Sequence, residues 1–101
     1  MPKISFDYDG VLTTENGKNL LKQKIKDGFD VYIITARQRS LTVIRFAREN
    51  GIPSNRVFFT DGKDKWETIE RLGITAHYDN NQEQIDKIKK FTNAKGILYN
   101  G

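Results

Sequence analysis

The sequence predicts an α/β fold, a Rossmann-like three-layer sandwich of about five parallel strands with helices on both faces. Strand-like apolar runs alternate with segments of helical periodicity along the whole chain, and those runs are too continuous for a sheet wetted on one side. Length adds a third observation. At 101 residues the chain suits one compact domain with one core, and no repeat, low-complexity segment or linker divides 1–101.

The elements follow in order. Lys3 to Tyr8 reads as a buried strand ending in charge. Lys18 to Asp27 reads as a helix with Leu20, Leu21 and Ile25 inward and Gly28 at its C-terminal cap. "FDVYIIT" is the second strand, and Ser40 to Asn50 the second helix, with Leu41, Ile44 and Ala47 on one face and Gly51 as its stop. "RVFFT" is the third strand. Asp64 to Leu72 forms a helix through Trp66, Ile69 and Leu72, closed by Gly73. "ITAHYD", a helix from Gln82 to Phe91 through Ile85 and Ile88, and the strand "GILYN" complete the series.

Composition removes several classes of function. With 37% hydrophobic and 30% charged residues, the chain has the balance of a soluble globular protein rather than a disordered one. There are no cysteines, which excludes disulfides and thiolate metal sites. His77 is the single histidine, so a zinc centre or a serine–histidine apparatus has almost nothing to be built from. No stretch has the length of a membrane span, and Met1 to Lys3 leads into a strand without a signal-peptide pattern, so a cytoplasmic protein is expected. The net charge of +4 suits an anionic partner, and equally suits lysines on solvated helix faces.

In a parallel sheet the carboxyl ends of the strands share one edge, where ligands bind. The residues ending these strands are Asp7 and Asp9, Thr35, Thr60 and Asp61, and Asp79 and Asn80. Carboxylates gathered in this way repel one another, so a cation or strong donors must compensate them. Mg²⁺ held by oxygen ligands fits, with Asp7 and Asp79 supplying charge from neighbouring strands. A lysine at the start of the third helix, Lys65 or its competitor Lys63, would neutralise phosphate and carboxylate together.

Four segments, "DYDGVLT" (7–13), "IITAR" (33–37), "KDKWE" (63–67) and "YDNN" (78–81), occur in the order of the four motifs of the haloacid dehalogenase superfamily, and together they span nearly the whole chain. The chain resembles a minimal phosphatase-like member of that superfamily. The resemblance implies a Mg²⁺-dependent phosphomonoester hydrolase. Asp7 would be the nucleophile that carries the phosphoryl group, and Asp9 the acid and base. Thr35, with Ala36 and Gly10, would bind the phosphate, and Lys65 would spread charge over the transition state. The metal would be held by Asp7, Asp79, the backbone carbonyl of Asp9, and Asn80. Asn80 stands where many relatives have a second acid; the next acid here is Glu83.

Each residue has a plainer reading. An Asp-Gly pair after a strand is often only a turn, Thr35 would serve as a cap, Arg37 as a surface or structural residue, His77 as a satisfied buried histidine and Trp66 as core. The gaps after the first motif and after the second helix are too short for a cap domain, so the site is expected to be open, with any lid supplied by a partner subunit or by the substrate. The substrate class stays open between a nucleic-acid end, a nucleotide, a phosphoprotein and a sugar phosphate, as does the choice between monomer and homo-oligomer. The alternative to an enzyme is a binding or structural module that kept the fold. A receiver domain ranks last, because receivers carry the Thr and Lys after later strands.

Overall fold

The computed structural model describes residues 1–100. Its chain runs β1 (Lys3–Phe6), α1 (Glu15–Lys26), β2 (Asp30–Thr35), α2 (Leu41–Glu49), β3 (Val57–Phe59), α3 (Trp66–Leu72), β4 (Ala76–Asp79), α4 (Gln82–Phe91) and β5 (Lys95–Leu98). The strands form one five-stranded sheet in the order β3-β2-β1-β4-β5, and every pairing is parallel. After β1 the chain winds outward through β2 and β3, then returns to the other side of β1 and continues to β5. The winding reverses between β1 and β4, and a crevice opens where such a reversal occurs.

Alternation along the strands sends side chains to two cores. Ile4 and Phe6 of β1 and Val31 and Ile33 of β2 pack with Leu21 of α1 and Val43 and Ala47 of α2. On the opposite face Ile34 packs with Ile69 of α3, Ile74, and Ile88 of α4. This is the three-layer sandwich expected from the apolar pattern. The second core is smaller because the middle of its face is polar: Ser5 of β1 and His77 of β4, paired in register, are fully buried there.

Several boundaries and faces differ from the sequence reading. α1 starts at Glu15 rather than Lys18, because the Thr14 hydroxyl accepts from the Gly17 amide at 3.0 Å and caps the helix early. β1 ends at Phe6, although the Asp7 amide still donates to the Tyr78 carbonyl at 2.9 Å. Leu41 is 67% exposed: the buried stripe of α2 runs through Val43, Ile44 and Ala47, and Leu41 lies off its side. Ile25 and Phe91, near the C-terminal ends of α1 and α4, are also partly in solvent. Trp66 is half-buried and packs against Phe91 with ring centres 4.7 Å apart and planes tilted by 30°, so it closes the edge of the core rather than filling its middle.

Candidate active site

The site begins where β1 stops. Asp9 and Gly10 take the backbone angles of the two central residues of a type II turn (φ −69°, ψ 124° and φ 80°, ψ −5°), a conformation that demands glycine second. A side chain at Gly10 would also collide with the Asn80 amide. The turn therefore reverses the chain over the end of β4, with Asp7 on its entering arm and Asp9 at its corner.

Beneath the turn lies a buried ion cluster. The Lys65 ammonium donates to Asp7 Oδ1 at 2.8 Å and to Asp79 Oδ2 at 2.7 Å, with side-chain exposures of 4%, 9% and 0% for the lysine and the two acids. Lys65 sits immediately before α3, where its amide donates to Gln84 Oε1 of α4. Gln84 in turn donates to Asp64, which also pairs with Lys87, so α4 holds the start of α3 and aims the lysine inward. Lys65 is thus the lysine of the cluster. Lys63 lines the rim of the same pocket and is exposed.

A second line of support comes through the sheet. His77 Nε2 lies 2.8 Å from Asp79 Oδ2, and its Nδ1 lies 2.7 Å from the Ser5 hydroxyl. Burial pushes the His77 pKa down, so the ring is neutral. An ionised Asp79 can only accept; Nε2 therefore carries the proton, and Nδ1 accepts from Ser5. His77 is a satisfied buried histidine, and it also orients an acid of the site. Sequence reasoning missed this link and missed Ser5. The signal was parity, since Ser5 of β1 and Asp7 just past its end, like His77 and Asp79 of β4, are two residues apart, but reading it needs the pairing of β1 with β4.

These contacts separate the two acids. Burial pushes the carboxyl of Asp79 up, but the hydrogen bond from His77 and the charge and hydrogen bond of Lys65 outweigh it and hold the group at about 2. Asp7 is pushed up to about 6 by burial, with the Asp79 charge adding to the effect and Lys65 opposing it. One ammonium between two carboxylates leaves a net negative charge, and Asp7 is where a proton relieves it. The unfolded chain releases that proton near 3.8, whereas the folded one keeps it up to about 6. The stability Asp7 confers is therefore complete below about pH 4 and disappears as the pH rises through 6. Without divalent cations, Asp7→Asn should become more stable than the parent by up to about 3 kcal/mol as pH goes from 4 to 7, read from urea unfolding. Parallel pH curves for the two proteins would contradict the raised Asp7.

Asp9 behaves differently. Its carboxylate is half-exposed and gripped by Arg37, with Nε to Oδ2 and Nη2 to Oδ1 both at 2.8 Å. That bidentate hydrogen bond holds the Asp9 carboxyl below the usual range. The fork is seated: the guanidinium lies 5.1 Å from the centre of the Tyr8 ring, and Nη1 is 3.4 Å from the Ser40 hydroxyl. The surface role read for Arg37 thus becomes a contact with a candidate site residue.

Asp7, Asp9, Gly10, Thr35, Ala36, Lys65, Asp79 and Asn80 all line one open pocket of about 420 Å³. Thr35 is buried at the end of β2, and the Thr35 carbonyl accepts from the Thr60 amide while the Ala36 carbonyl accepts from Gly62, which ties together the two loops that form the pocket wall. All eight residues read from the sequence as site residues meet here. Among the described residues, no group of three or more Asp, Glu or His side chains surrounds one point. The donors present are carboxylate, carbonyl and amide oxygens of Asp7, Asp79, Asp9 and Asn80. That set fits a small hard cation that binds one or two carboxylates and keeps water or phosphate in its other positions.

The fold and site define a doubly wound α/β protein with a buried Asp–Lys–Asp cluster at the switch point of its sheet. Comparison with known proteins finds no family model, no curated protein and no solved structure that matches the chain. Among the described residues no helix is long and apolar enough to cross a membrane.

Proposed function

We propose that this chain is a Mg²⁺-dependent phosphomonoester hydrolase of the haloacid dehalogenase type, working through an aspartyl phosphate. The observation that carries the reading is the Lys65 ammonium shared by Asp7 and Asp79 in a pocket that Thr35, Ala36 and Gly10 also line. A phosphoryl group in that pocket meets a carboxylate nucleophile, a buried cation and a hydroxyl without any rearrangement of the sheet.

In this mechanism an Asp7 oxygen attacks phosphorus and the ester P–O bond breaks, while Asp9 delivers a proton to the leaving oxygen. Asp9 then takes a proton from water, whose oxygen attacks the same phosphorus; phosphate leaves and Asp7 is restored. Lys65 and the Thr35 hydroxyl are fixed before reaction, so they stabilise the developing charge without reorganising. Mg²⁺, held by Asp7, Asp79, the Asp9 carbonyl and Asn80, would add a second positive charge against the phosphoryl oxygens. That charge also favours the ionised form of Asp7, which the nucleophile requires.

The grip of Arg37 on Asp9 favours a second reading, a binding module whose proton donor is permanently tied up. Beryllofluoride, a phosphoryl mimic that bonds to an aspartate oxygen, separates the two. With Mg²⁺ present, it should raise the melting temperature of the parent several degrees beyond Mg²⁺ alone, because a ligand held only by the folded state stabilises it. A response to the metal with no further gain from the fluoride would favour the binding module.

A further inference from the structure

The Asp9–Arg37 pair is a complete bidentate ion pair at the mouth of the pocket, with side chains 54% and 39% exposed. Asp9 lines the pocket, and Arg37 approaches it from outside the lining. A carboxylate so held is turned toward the guanidinium and kept ionised, with one lone pair of each oxygen engaged by Arg37, so it presents no proton to the leaving oxygen of an ester. The fork itself is fixed by the Tyr8 ring and Ser40, neither of which depends on Asp9. Removing Asp9 from it would thus leave the guanidinium facing solvent at the mouth of the pocket, on the side that Asp9 lines. Exposed ion pairs exchange partners at little cost, and a guanidinium fork accepts carboxylate or phosphate oxygens equally well.

We propose that Arg37 is an anion-exchange latch: a substrate with a second anionic group beside its phosphate takes Asp9's place on the fork and frees Asp9 to face the leaving oxygen. This rests on the phosphatase reading and names its substrate class, a phosphomonoester with a neighbouring carboxylate or phosphodiester. Arg37 acts as a specificity and positioning residue, since it selects the substrate and controls where Asp9 points.

The test measures binding by calorimetry with Mg²⁺ in the buffer, in an Asp7→Asn background that cannot turn the ligands over. The ligands are 2-hydroxyethyl phosphate, whose tail is neutral, phosphoglycolate, and a 5′-phosphorylated dinucleotide. Phosphoglycolate, the dinucleotide, or both should bind roughly five- to tenfold tighter than the neutral ester, and the one that does identifies the carboxylate or phosphodiester source. Adding Arg37→Met should abolish the preference. Adding Asp9→Asn should enlarge it, because the competing carboxylate is gone; a purely structural Arg37 would leave the ratio unmoved. Equal affinities for all three ligands, or a preference that survives Arg37→Met, would overturn the latch. Turnover of the same esters by the parent is scored separately: if the binding pattern holds and none is hydrolysed, the phosphatase reading falls and the anion exchange stands.

Discussion

Replacing Asp7 by Asn should lower phosphomonoester hydrolysis by about three orders of magnitude or more while leaving the protein folded, the size of loss expected when a covalent nucleophile is removed. The amide is nearly the shape of the carboxylate, and its oxygen can still accept from Lys65, so the buried cluster keeps its geometry. It loses the negative charge that must attack phosphorus. Its removal also relieves the cost of burying that charge, to which the repulsion from Asp79 adds, which is why the inactive protein should be the more stable one near neutral pH without metal. The measurement is a panel of phosphomonoesters with and without Mg²⁺, run on parent and variant together. A variant that keeps the parent's rate would remove Asp7 as nucleophile, and a parent equally active in chelator would remove the metal. A loss confined to KM would point to Asp7 as a binding group only.

The largest effect on stability should come from Lys65→Met. The ammonium is nearly inaccessible and touches both acids, so its loss leaves two carboxylates facing each other in a low-dielectric pocket with no counter-charge between them. Breaking a buried pair by removing one partner typically costs about 3–5 kcal/mol, a large part of the roughly 5–15 kcal/mol that holds a domain together. The cost should be greatest near pH 7 and shrink toward pH 5, because protonation of Asp7 removes half of the uncompensated charge. Mg²⁺ should restore part of it at neutral pH by supplying the missing cation. Lys63→Ala, at an exposed rim position, should change stability by no more than about 0.5 kcal/mol. Urea unfolding of both variants at two pH values decides the matter. A Lys65→Met protein as stable as the parent would show that the two acids do not depend on this lysine.

The amino-acid sequence by itself determined the layered architecture and which polar residues gather in the candidate pocket. Each strand was legible as a short apolar run and each helix as a 3.6-residue stripe, because burial on one or both faces writes its period directly into the chain. The carboxyl ends of parallel strands meet at one edge, so Asp7, Thr35 and Asp79 could be placed together without coordinates. The tertiary structure alone decided how those residues are coupled. Lys65, not Lys63, enters the cluster because Gln84 of α4 holds the first residues of α3, a contact between segments 19 residues apart. Ser5 and His77 support Asp79 because β1 and β4, more than 70 residues apart in the chain, pair in one register. Arg37 reaches Asp9 because two loops from different strands converge at the pocket mouth. Periodicity records which face of an element is buried. Which side chain meets which across that face is set by strand order, register and the angle at which helices cross the sheet, and no single segment contains that information.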